Sequence, residues 1–352
     1  METSLENVRY QTRMHWIDIA KCVGIFAIVY GHTIKTGWSC RYVYSFHVPL
    51  FFFLQGVVFR VSRADQKRFT QYLKSRSYTL LVPYFVFAIV STIVIFVASK
   101  VIYVPGLDIF SSWIDIVLQI ICGNCDANRP LWFLPCAYAM SIITYGLINV
   151  VNRQKNSTVK LVILICVAIV SGGALYVLEE FTDIKFLPWK LDAAVYMLPF
   201  FIVGYVLMEY EWVERIQKCS SFIRILVAFA LIGMGAWLGL SNEEANYLGN
   251  YIGNILMTYL SAFASCIGIC ALSMLIPDIR LLTYVGKSTL CILLMHKFPV
   301  LLFQVVIPYV AHRIGNQSIL TSVVVTVVTI ALCCVAQWIL SVLCPIAIGK
   351  QK

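Results

Sequence analysis

Charge is what this sequence has least of. Only 12% of its 352 residues are Asp, Glu, Lys or Arg, and 60% are hydrophobic. A soluble domain carries roughly 25% charged residues. Too little polar surface remains to clothe a water-soluble fold, so the bilayer serves as solvent for most of the chain. Long polar stretches are also missing, which excludes a separate soluble domain, and residues 1–352 read as one membrane unit. A cleavable leader is not evident: the first apolar run contains Asp18, Lys21 and His32, and no small-residue cleavage site follows. Cysteine is plentiful at 13, but most cysteines sit inside apolar runs and act there as small hydrophobes. Cys122 and Cys125 form C-G-N-C in a loop. One pair falls short of the four ligands of a structural zinc site, so no metal is expected and a turn or a local disulfide remains. The net charge of +10 comes from basic residues in short loops. Membrane topology accounts for it, and no nucleic-acid partner is expected.

A spanning helix needs about 20 mostly apolar residues. Such runs occupy 16–34, 42–59, 80–99, 132–151, 161–178, 193–208, 225–240, 251–276, 288–307 and 319–344. They predict an all-α integral membrane protein, a single polytopic bundle of about ten transmembrane helices. Most of the 27 Lys and Arg residues then fall on the side of the N-terminus. Lys35, Arg41, Lys100, Arg129, Lys185, Lys190 and Arg313 fall on the other. The positive-inside rule therefore places both termini in the cytoplasm. The segment 113–122 is too short to span and reads as an interfacial or re-entrant helix. The basic stretch 60–76 suits contact with anionic membrane lipid, or the holding of a phosphorylated group by arginine forks. Gly204, Gly233, Gly235 and Gly239 read as sites of close helix packing. Trp132, Trp189 and Tyr247 lie near span ends, where interfacial aromatic belts form.

Ionisable residues inside spans are expensive and normally face an internal cavity. Here they are few: Asp18, Lys21 and His32 in the first run, His47 at the start of the second, His296 and Lys297 in the ninth. Lys21 and His32 are eleven residues apart, three helical turns within about 20°, and separated by roughly 16 Å along the axis. They share one face, and Asp18 lies three residues before Lys21, placed to pair with it. One helix thus carries a cation near the cytoplasmic surface and an imidazole deeper in the membrane. Histidine moves protons near neutral pH, and His47 is a candidate neighbour for His32. Lys297 can snorkel or pair inside the bundle.

The runs I-D-I-A-K-C-V-G-I-F-A-I-V-Y-G-H at 17–32 and S-F-H-V-P-L-F-F-F-L-Q-G at 45–56 resemble the acyltransferase-3 family of membrane acyltransferases, and within it the fucose O-acetylase-like branch. L-L-V-P-Y at 80–84, L-W-F-L-P at 131–135, P-F-F-I-V-G-Y at 199–205 and V-G-K-S-T-L-C-I-L-L-M-H at 285–296 continue the resemblance in order. Two positions depart from it: Thr79 stands where many members have a second Arg, and Gln55 where Ser is frequent. The resemblance implies a cytoplasmic acyl donor, commonly acetyl-CoA, and a carbohydrate acceptor such as a surface polysaccharide or a lipid-linked sugar. It implies residence in the bacterial inner membrane. Carried onto this sequence, His32 is the catalytic residue, with Lys21 and its neighbour Asp18 accompanying it. Arg76, with Lys74 beside it, is the candidate for the donor's phosphates. His47, Trp132 and His296 are the candidates for contact with the acceptor. A polysaccharide or lipid-linked-sugar flippase is the rival reading, which repeat symmetry and paired broken helices would mark.

Overall fold

In hydrocarbon every backbone N–H and C=O needs an internal partner, so apolar runs of this length become helices. The computed structural model describes residues 14–34, 36–101, 112–181, 187–249, 251–310 and 318–350. Lys35, Lys185 and Arg313, used above for orientation, lie outside the described residues. The helices are α1 (His15–Thr33), α2 (Trp38–Val61), α3 (Phe69–Arg76), α4 (Val82–Val101), α5 (Trp113–Ile121), α6 (Phe133–Val151), α7 (Ser157–Phe181) and α8 (Leu191–Glu209). They continue as α9 (Trp212–Lys218), α10 (Ser221–Ser241), α11 (Ile255–Ser273), α12 (Arg280–Lys287), α13 (Thr289–Met295), α14 (Lys297–Val310) and α15 (Ile319–Leu343). A π-helical turn, Ser77–Leu81, joins α3 to α4. Ser112, Ser220, Asn254 and Ser318 cap α5, α10, α11 and α15 by accepting backbone N–H groups, as N-cap residues do. Among the described residues there is no strand, only one bridge between Asn246 and Tyr251.

Eight helical stretches are long and apolar enough to cross a membrane. The chain is therefore an all-α, multi-span membrane protein. The first and ninth apolar runs fall outside that set, and they carry most of the polar residues singled out above. In α1, Asp18, Lys21 and His32 dilute the apolar content. The ninth run, expected as one continuous span over 288–307, is broken: α13 ends at Met295, His296 forms a turn, and α14 begins at Lys297. Pro299 explains the break. Its ring crowds the carbonyl four residues earlier, at Met295, and it has no N–H to give that carbonyl.

α1 lies in the middle of the bundle, packed by α2, α12 and α15. A Cβ at Gly286 of α12 would collide with the Asp18 carbonyl, so only glycine lets α12 approach α1 so closely. α2 and α8 form the other tight pair. Gly56 meets the backbone of Phe201 and Tyr205, and Gly204 meets that of Phe53. Gly235 and Gly239 likewise abut Ser265 and Ser261 of α11. Gly233, expected to pack in the same way, faces open space instead. The apolar windows of α2 and α8 are 72% buried, whereas those of α7 and α10 are 17% buried, so the latter form the lipid-facing shell. On α5 the apolar side chains Trp113, Ile114, Val117, Leu118 and Ile121 are all exposed, as in a helix lying against lipid. Tyr247 is not a belt residue: it is buried, and its hydroxyl donates to the Ser45 carbonyl at 2.9 Å. Cys122 and Cys125 are both free thiols, and Cys125 is buried, with its Sγ donating to the Ala88 carbonyl at 3.8 Å.

Candidate functional site

The polar residues of α1 lie along one continuous neighbour. At the end where α1 begins, Lys21 Nζ is 3.9 Å from Asp18 Oδ1, and Asp18 is buried against Gly286 of α12. Fourteen residues on, about 21 Å along the axis, His32 meets the break between α13 and α14. Its ring centroid lies 5.1 Å from that of His296. The single segment 280–310 thus touches both ends of the α1 polar line. Gln304 of α14 adds a bond from its side-chain amide to the His32 carbonyl at 3.1 Å, closing the last turn of α1.

His296 is fully buried, and its tautomer is fixed by its own helix. Nδ1 lies 2.9 Å from the Ile292 carbonyl and 3.0 Å from that of Leu293. Carbonyl oxygens only accept, so Nδ1 carries the hydrogen, and Nε2 of the neutral ring presents a lone pair. That Nε2 is buried without a hydrogen-bond partner. His47 uses the same device: its Nδ1 donates to the Val43 carbonyl at 2.8 Å, and Tyr44 packs edge-on at 4.8 Å. Of the residues singled out in the sequence, His32 and His296 thus come together, Asp18 and Lys21 form a separate pair on the same helix, and His47 lies on the neighbouring α2.

Asn128 holds the break in place. It is fully buried in the 3-10 segment Asp126–Trp132, and its amide donates to the Leu294 carbonyl at 2.9 Å and to Ser91 Oγ at 3.1 Å. No sequence signal marked Asn128 or Gln304, because nothing in a single chain tells which loop meets which helix. Pro299 was such a signal for the break, since a proline three residues after His296 stops a helix. Asn128→Ala is expected to destabilise the protein by about 1–3 kcal/mol, the cost of leaving buried partners unsatisfied. Thermal unfolding in detergent measures this.

Arg76 and Lys74 lie on α3, with Lys74 exposed. The Arg76 guanidinium sits over the Tyr72 ring, 5.2 Å from its centroid, and its Nε is buried without a hydrogen-bond partner. Arginine in that setting suits a phosphate. The following π turn contains Thr79, whose hydroxyl donates to the Ser75 carbonyl at 3.0 Å. The terminal turn Pro345–Ile348 packs against α4, and Gly349 then approaches the Thr79 carbonyl. Gln55 donates to Ser141 Oγ at 3.0 Å and to the Ala137 carbonyl at 3.2 Å, tying α2 to α6. Trp132 is 7% exposed, packed edge-on to Phe133, so it offers little free ring face. Among the described residues no group of three or more His, Cys, Asp or Glu side chains is placed to hold a metal.

Fold and site define a multi-pass membrane protein with a buried, imidazole-centred site at a helix break. The chain belongs to the acyltransferase-3 family: the model of that family, described as an acyltransferase domain, matches residues 14–338. It is a membrane acyltransferase. No curated protein and no solved structure gives a significant match to the chain.

Proposed function

We propose that this acyltransferase moves an acyl group, most simply acetyl, from cytoplasmic acyl-CoA to a hydroxyl of a surface or lipid-linked carbohydrate. The contact between His32 and His296 at the helix break, in line with Lys21 on α1, carries this reading. With the N-terminus in the cytoplasm of a bacterial cell, the protein resides in the inner membrane. Donor phosphates are held at the cytoplasmic surface by Arg76, Lys74 and Lys21, and the pantetheine arm extends along α1 toward His32.

A sugar hydroxyl becomes a competent nucleophile when a base removes its proton. His32 takes that proton as the hydroxyl oxygen attacks the thioester carbonyl. The C–S bond then breaks, and the departing CoA thiolate takes the proton back from the His32 imidazolium. The products are an ester and free CoA, and the histidine returns to its starting state. His296, with its own tautomer fixed, positions the His32 ring. His47 lies on the acceptor side of the scheme, whereas Trp132 has little ring face left to stack on a sugar. Mass spectrometry of surface glycans with and without the gene tests the reaction class. An ester-sized mass difference, 42 Da or about that for acetyl on chemical grounds, is the expected result. Identical glycan masses would remove the carbohydrate acceptor from the scheme.

A further inference from the structure

α7 carries two adjacent glycines, Gly172 and Gly173, in its interior, where glycine is an unfavourable helix residue. Helix packing calls for neither. A Cβ at Gly173 would meet nothing within 4 Å, and one at Gly172 would make ordinary contact with the Tyr259 ring at 3.4 Å. At Gly56, Gly204 and Gly286, by contrast, a Cβ would strike backbone. What the pair on α7 does is leave the floor of a groove bare. The groove has a volume of about 690 Å³ and runs between α7, α8 and α11. Along α7 it extends from Leu161 to Gly173, about 18 Å by helical rise. Among the described residues no charged side chain lines it. The one hydroxyl in its wall, that of Tyr259, is turned away and donates to the Tyr196 carbonyl at 2.8 Å.

α7 belongs to the lipid-facing shell, so the groove opens to hydrocarbon. Lipid tails are as apolar as its walls, so fit selects the occupant and burial from water does not. An empty trough would forfeit dispersion contacts along its whole length. Its two ends differ. Trp212 of α9 lines the end nearest the start of α7, where the Tyr210 hydroxyl donates to the Ser157 carbonyl; tryptophan there suits the membrane interface. The Tyr259 end leads toward the second helix of the site. The Tyr196 ring lies 6.1 Å from that of Tyr247, and Tyr247 is bonded to the carbonyl of Ser45, two residues before His47.

We infer that this groove holds the hydrocarbon tail of a lipid-linked acceptor, a polyprenyl chain, with the sugar it carries at the Tyr259 end. One trough takes one chain. A phospholipid brings two, and a polyprenyl-linked sugar brings one. This rests on the carbohydrate-acceptor reading above and narrows it to a lipid-linked sugar, but tail binding is measured with no acyl donor present, so the two can fail separately.

The full chain is reconstituted in phosphatidylcholine nanodiscs, and thermal stabilisation is titrated with a long-chain polyprenyl phosphate. Phosphatidylglycerol supplies an anionic two-chain lipid for comparison, and isopentenyl phosphate supplies the headgroup without the long tail. Polyprenyl phosphate is expected to bind at least tenfold more tightly than either. Gly173→Phe fills the groove from a position where the fold leaves room, and is expected to weaken that binding at least tenfold. Ile169→Trp, at an exposed position in the same wall, is a second filling variant and is expected to weaken it too. Gly173→Ala, too small to fill the groove, is expected to bind as the unaltered protein does. Gly233→Phe adds the same ring on α10, where there is also open space, and is expected to leave binding unchanged. Equal binding of phosphatidylglycerol or isopentenyl phosphate, unchanged binding in both filling variants, or an equal loss in Gly233→Phe overturns the inference. Groove binding with no acyl transfer to a polyprenyl-linked sugar would uphold the lipid site and count against the reaction alone.

Discussion

Replacing His32 with alanine is expected to lower acyl transfer by about 10²–10⁴-fold, the usual worth of a positioned general base. His32 is the one imidazole at this site whose ring nitrogens are not tied to carbonyls of its own helix in the way that His47 and His296 are. It is also partly exposed, whereas His47 and His296 are buried. Alanine removes the base but leaves α1 apolar and well packed, so the protein should still reach the membrane in normal amount. Transfer of labelled acetyl from acetyl-CoA in isolated membranes gives the rate, and a quantitative blot gives the protein level. His32→Gln keeps the size of the side chain without a base and should be as inactive. Full activity in either variant at a normal protein level would assign the chemistry elsewhere. His296→Ala should lower the rate less if that ring acts by positioning His32.

Lys190→Met is expected to destabilise the fold by about 3–5 kcal/mol, the cost of breaking a buried ion pair from one side. Lys190 Nζ lies 3.1 Å from Asp192 Oδ2, with side chains 1% and 2% exposed. The substitution leaves a buried carboxylate without this cation at the start of α8. The pair is held by an unusual backbone: Trp189 and Lys190 are successive non-glycine residues with φ of 57° and 51°, each costing of order 1–3 kcal/mol. Trp189 is secured there by its backbone N–H, which donates to the Cys122 carbonyl at 2.7 Å, and by its indole N–H, which donates to that of Ile121 at 2.9 Å. Gly123, at φ +90°, lets the two loops meet, since a Cβ there would lie 2.9 Å from Trp189 Cα. The double variant Lys190→Met with Asp192→Leu should recover most of the loss, because apolar replacement of a buried pair is often neutral or stabilising. Thermal unfolding in detergent separates the cases. If the double variant is no more stable than the single, the pair is not the source of the effect.

Much of the bundle was legible because hydrophobicity over 20 residues is a one-dimensional signal. The runs at 42–59, 193–208 and 225–240 fall within α2, α8 and α10, and the short segment 113–122 nearly coincides with α5. The ninth run was misjudged because average apolarity hides a single proline: Pro299 interrupts the helix without making the segment less hydrophobic. Gly233 was misjudged because glycine marks a close approach only on the side that faces a partner, and the side is set by packing.

The candidate site divides along the same line. Asp18, Lys21 and His32 lie on one helix, so their spacing alone placed them on one face. Gln304 meets His32 from a segment about 270 residues away, Asn128 holds the break at His296 from yet another, and no local period encodes such a meeting. The sequence by itself determined the membrane class, the helix content and the polar line on α1, because each follows from composition and the 3.6-residue repeat. Only the tertiary structure decided that His296 sits against His32, because that depends on where a broken helix is held by a buried asparagine.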